Sequence, residues 1–176
     1  MKNMTVKNLV FCALMAALIV VFAQVQIPLP GLVPISLATF GVMMSGLLLG
    51  WHWGAVAVAV YILLGAVGVP VFAGFKGGLS ALMGPTGGYI IGYLPYAVLA
   101  GLSYPALQEK YWGRCVLLAL GTAACYILGT AWFIHVTGRT LAESLSLCVL
   151  PFLPGDAAKV LLSAFLAPRL RKAIKN

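Results

Sequence analysis

Acidic side chains are nearly missing from this sequence: Glu109, Glu143 and Asp156 are the only three in 176 residues. Charged residues of both signs make up 8% of the chain, against about 25% in an average soluble domain. A water-soluble fold with so little charge would expose broad apolar patches and associate, which excludes the soluble classes. Also missing are an HExxH pair, a serine with a plausible histidine and acid partner, and a GxxxxGK[ST] loop. Intramembrane hydrolysis and nucleotide binding therefore have no residues here to carry them, and no enzymatic activity is expected. Cys12, Cys115, Cys125 and Cys148 form no CxxC or other metal-ligand spacing. They read as small buried hydrophobes, and neither a cofactor nor a metal is expected.

What fills the chain instead is hydrocarbon: 62% of residues are hydrophobic, with mean hydropathy +1.06. A transmembrane helix needs roughly 20 apolar residues, so this length holds about six spans, short loops and little else. The expectation is one all-α, multi-pass domain of the cell membrane, with spans over 4–25, 35–50, 54–69, 85–104, 115–135 and 155–167. The first apolar run lacks a small-residue cleavage site and is read as a retained helix. Three prolines, Pro28, Pro30 and Pro34, break the chain after span one. A Gly-rich stretch over 70–84 and a second long connection over 136–154, with room for a short helix, separate the later spans. Six spans put both termini on one side with Lys2, Lys7, Lys110, Arg114, Arg169, Arg171, Lys172 and Lys175, leaving Lys76 and Arg139 opposite. Lys and Arg mark the cytoplasmic side, so both termini are assigned there. The net charge of +8 then suits lipid headgroups, and nucleic acid is not expected as a partner.

Ionisable residues inside a span are costly and usually functional. Asp156 and Lys159 stand three apart at the start of span six, on one face of a helix. Together they offer acceptor oxygens and N–H donors, the complement of a group that both donates and accepts, such as a cyclic urea. The bland alternative is a self-neutralising structural pair. Gly84-Pro85-Thr86-Gly87-Gly88-Tyr89 opens span four. Thr86 is placed to cap the helix, and free N–H groups at its start could take a carboxylate. Gly84, Gly88 and Gly92 equally make a small-residue ladder for close helix packing. Tyr89, Tyr93 and Tyr96 share one face, with Tyr89 nearest the outer end. Phe72, Phe75 and Lys76 lie in the Gly-rich loop, which reads as a lid with aromatics to cover a ring and a lysine to attract an anion. Ala13, Ala16 and Ala17 give span one a small-residue patch suited to the bundle or to a partner protein. His52 and His135, beside tryptophans at opposite span ends, read as interfacial.

Five blocks then stand in order: Pro28-Leu29-Pro30 with Val33-Pro34-Ile35-Ser36-Leu37, Gly46-Leu47-Leu48-Leu49-Gly50, Pro70-Val71-Phe72-Ala73-Gly74, Gly84-Pro85-Thr86-Gly87-Gly88-Tyr89, and Pro154-Gly155-Asp156-Ala157-Ala158-Lys159. They resemble the BioY family, the biotin-binding S components of energy-coupling factor (ECF) transporters. The resemblance implies a six-helix bundle with the vitamin near the extracellular face and Asp156 and Lys159 on its ureido ring. It implies that the loop before span four closes over the ligand and that the alanine face of span one meets the transmembrane coupling protein. It also implies that two ATPase subunits supply ATP in trans. Ala38 stands where the family often has Gln, which weakens the case for a ligand contact by a side chain at the start of span two. Lys76 replaces a small polar residue and is positioned to meet the biotin carboxylate. The alternative reading is an S component for another vitamin, such as thiamine or riboflavin.

Overall fold

The computed structural model describes residues 6–28, 33–103 and 110–175. Lys2, Leu29, Pro30, Tyr104, Pro105 and Glu109 lie outside the described residues. Among the described residues there are seven helices: α1 (Val6–Gln24), α2 (Ala38–Ala66), α3 (Leu79–Met83), α4 (Gly87–Leu102), α5 (Tyr111–Thr137), α6 (Leu141–Cys148) and α7 (Leu153–Lys175). A two-residue ribbon, β1 (Gln26–Ile27) against β2 (Ile35–Ser36), joins α1 to α2 in antiparallel register. The helices α1, α2 and α5 are long and apolar enough to cross a membrane, and α6 and the first part of α7 form a pair bent by 51°.

Spans two and three of the sequence reading merge into one helical element, but that element is not straight. Gly50 breaks it at φ 81°, ψ 173°, a backbone region that is essentially glycine-only. Eight residues along a straight helix cover about 12 Å, yet a Cβ on Gly54 would lie 2.7 Å from Gly46 Cα. The two arms, 38–49 and 51–66, therefore fold back on each other, backbone to backbone. A Cβ on Gly101 would overlap the backbone of Trp51, so the end of α4 seats against this turn. The connection that the Trp51-His52-Trp53 cluster suggested as an interfacial loop is in fact a single glycine. The arm after it stops at Ala66, short of the expected end at Val69.

The helix α4 packs between α2 and α5, α1 covers α2, and α7 closes against α2 and α5. Gly88 and Gly92 do what a small-residue ladder does: a Cβ on the first would overlap Trp132, and one on the second would meet Cys125 Sγ at 3.1 Å. The core is filled by Tyr61, Tyr96, Phe133, Ile19, Met43 and Leu118, all essentially inaccessible. The outward faces are as apolar as the core, with Val10, Leu14, Val21, Leu63, Ile127, Leu162 and Phe165 exposed. Helices that are hydrophobic all round need lipid, not water, on that outer face.

The last helix runs further than expected, through Pro168 and into the basic tail. Proline has no N–H, so the carbonyl of Ala164, four residues back, loses its helical partner. Arg114 fills the gap, its Nε donating to Ala164 O at 3.0 Å. An arginine assigned from sequence to the cytoplasmic surface is thus 7% exposed.

Candidate functional site

Asp156 is held in the first turn of α7, where its N–H donates to Phe152 O at 2.8 Å. Lys159, one turn on, reaches the same point from the same face. The two are 5% and 8% exposed, and Lys159 Nζ lies 2.9 Å from Asp156 Oδ1. Every donor of the ammonium is engaged: besides the carboxylate it reaches Ser36 O at 2.6 Å and Thr39 Oγ1 at 3.0 Å. Asp156 also accepts from Thr39 Oγ1 at 3.4 Å on Oδ1 and from Tyr126 OH at 2.5 Å on Oδ2. Buried charges persist only when paired and hydrogen-bonded, and this pair meets both conditions.

The pair is internally locked, yet it lines a cavity. A chamber of ≈ 40 Å³ has Asp156, Lys159, Thr39, Tyr126, Cys125 and Phe152 around it. A second, of ≈ 50 Å³, is bounded by Phe72, Ala73, Lys76, Thr86, Tyr61 and Ile90. Both share Val33, Pro34, Ser36, Tyr89 and Tyr93. The two adjoin along this shared wall as an aromatic trough, the acid–lysine pair bordering one chamber and Lys76 the other.

The expected residues divide here. Tyr89 lines both chambers while its hydroxyl pairs with Thr130 at 3.1 Å and donates to Cys148 O at 3.4 Å, so the ring is fixed from behind. Tyr96 does not join the trough; it is fully buried against α5, pairing with Thr122 at 2.7 Å. Thr86 borders the trough and sits at the N-cap of α4, but its side chain makes no capping bond. Its carbonyl instead accepts from the N–H groups of Tyr89 and Ile90, and Gly87 N–H donates to Gly84 O. Those amides are occupied, which favours the packing reading of the GPTGGY block over anion capture. Phe75 is 72% exposed and borders neither chamber, and the aromatic that faces the trough is Phe72. The cause is the tight turn at Gly74 (φ 75°) and Phe75 (φ 56°), which sends Phe75 outward. The alanine patch divides between the two uses left open for it: Ala16 packs into the bundle at 3% exposure, while Ala13 and Ala17 remain on the outer face.

The lid segment is not structureless. Phe72 and Lys76 form an antiparallel bridge, and the Phe72 ring packs edge-on to Tyr61 at 5.5 Å. Gln24, at the end of α1, clamps it: Nε2 donates to Val71 O and Phe72 O, both at 3.2 Å, and Oε1 accepts from Phe75 N at 3.0 Å. Replacing Gln24 with Met keeps the length and removes all three bonds. Loss of about 1–2 kcal/mol of local stability is expected, read as roughly five- to thirtyfold faster hydrogen exchange at the Phe75 amide. Unchanged exchange would show that the turn holds without the clamp.

Sequence reasoning missed Thr39, Tyr126 and the Ser36 carbonyl. The start of the second span does reach the site by a side chain, one residue beyond Ala38. Among the described residues, no three His, Cys, Asp or Glu side chains come together as a metal site.

The BioY family matches residues 1–176. The biotin transporter BioY of Thermotoga maritima is 40% identical over 169 residues, covering 94% of this chain and 96% of that protein. The probable biotin transporter BioY of Pyrococcus horikoshii is 36% identical, covering 96% and 98%. A solved structure, the S component for biotin from an ECF-type ABC transporter, superposes with TM-score 0.88 at 33% identity, covering 98% of this chain and 94% of that one. With the likeness running end to end in both sequence and backbone, the chain belongs to the BioY family.

Proposed function

We propose that this chain captures biotin and serves as the substrate-specific membrane subunit of an ECF-type transporter. It is a transporter subunit and not an enzyme. The observation that carries the reading is the Asp156–Lys159 pair at the end of an aromatic trough. A cyclic urea presents C=O and N–H edges that Lys159 and Asp156 match in polarity. The rings of Tyr89, Tyr93 and Phe72 suit the fused bicycle, and Lys76 at the far end suits the carboxylate of the tail. Both chambers are well below the roughly 300 Å³ at which ligand pockets begin, so binding requires the trough walls to part. The segment over 70–78 is the wall we assign to that movement.

In the membrane we infer six passes, with the arms of α2 counted separately and α1, α4, α5 and α7 supplying the rest. The fold-back at Gly50 supports this count. Both termini are then cytoplasmic and the trough opens outward. Ala13 and Ala17, exposed one turn apart on α1, make the face proposed for the coupling protein. The ATPase subunits act in trans.

The test is equilibrium binding and thermal shift of the detergent-purified protein with biotin, thiamine and riboflavin. A ligand at 100 times its Kd stabilises the native state by about 2.7 kcal/mol. Biotin alone should raise the melting temperature; a shift with thiamine or riboflavin and none with biotin would reassign the vitamin.

A further inference from the structure

We propose that the Thr39 hydroxyl is a built-in stand-in for the ligand's polar head, holding the acid–lysine pair satisfied until the ligand displaces it. This rests on the reading of Asp156 and Lys159 as the ligand's anchors.

The direction of each bond is fixed by chemistry. An ammonium only donates and a carboxylate only accepts. Thr39 Oγ1 must therefore accept from Lys159 Nζ at 3.0 Å and donate to Asp156 Oδ1 at 3.4 Å. One hydroxyl thus does to this pair what the C=O and N–H of a cyclic urea would do. Lys159 has three protons and three acceptors, Asp156, Ser36 and Thr39, so none is left for an incoming carbonyl. One acceptor has to leave. Asp156 is the counter-charge, and Ser36 O belongs to the backbone of the β1–β2 ribbon. Thr39 alone of the three can withdraw by side-chain rotation without separating opposite charges or moving the backbone.

The consequence is a sign that a direct ligand contact would not give. Thr39→Val keeps the shape and removes the hydroxyl. The empty site then holds an ammonium proton and a carboxylate lone pair without a partner, and the ligand restores both. A state that must be left before binding weakens the apparent affinity by its population, so destabilising it tightens binding. Thr39→Val should lower the Kd for biotin by about three- to tenfold. It should also lower the melting temperature of the ligand-free protein, so that the biotin-induced shift widens. Thr39→Ser, which restores the hydroxyl, should reverse the gain. Thr39→Ala gives the same readout if the valine variant does not purify.

Weaker biotin binding by Thr39→Val would make Thr39 a ligand contact and overturn the proposal. An unchanged Kd with a lowered melting temperature would make the hydroxyl purely structural and overturn it too. Asp156→Asn, measured alongside, separates the two levels. If it binds biotin as the parent does, the anchor reading itself is wrong. If it binds weakly while Thr39→Val fails to tighten, only the stand-in is wrong.

Discussion

Lys159→Met should leave a protein that binds no measurable biotin and has lost about 3–5 kcal/mol of stability. The stability loss comes from Asp156, which stays 5% exposed with its counter-charge gone. Thr39 and Tyr126 still donate to it, but neither carries charge. The same substitution with Asp156→Asn removes both charges and should recover part of the melting temperature without recovering binding. That split distinguishes a binding pair from a folding pair. Asp156→Asn alone should weaken biotin by about tenfold, the worth of one charge-assisted hydrogen bond. A Lys159→Met protein that kept both its melting temperature and its biotin affinity would remove the pair from the site.

Arg114→Met should destabilise the bundle by about 2–3 kcal/mol, because a buried carbonyl loses its charged donor. The cause is specific: Pro168 has left Ala164 O without a helical N–H, and Arg114 Nε supplies one at 3.0 Å. Pro168→Ala returns an N–H to the helix. In that background Arg114→Met should cost about 1 kcal/mol less, a coupling that a double-mutant cycle of detergent melting curves measures directly. Equal costs in both backgrounds would mean that the arginine stabilises through its other contacts and not through this carbonyl.

These two cases mark what could be read in the residues and what could not. Asp156 and Lys159 stood out because a charge in an apolar run is expensive wherever the run folds. Arg114 carried no such signal: at the edge of a span it looks like any surface cation, and only the meeting of α5 with α7 shows what it touches. Thr39 and Tyr126 were silent for a related reason. A threonine near a span start and a tyrosine within a span are ordinary packing residues, and the contact from Thr39 to Asp156 spans 117 positions. The glycine ladder was legible as packing because small residues at fourfold spacing have a geometric use in lipid. The Gly50 turn was not, since the tryptophans that follow it, Trp51 and Trp53, suggested a longer connection. Phe72 and Phe75 were indistinguishable on paper; the left-handed backbone at Gly74 and Phe75 decided which ring turned inward.

One property of the locked pair reaches beyond recognition. A membrane voltage of 100 mV does about 2.3 kcal/mol of work on a lone elementary charge carried through it. Asp156 and Lys159, 2.9 Å apart, feel equal and opposite pulls, and their bonded neighbours Thr39, Tyr126 and Ser36 are neutral. Whatever its depth in the bilayer, this pair carries no net charge for the voltage to move.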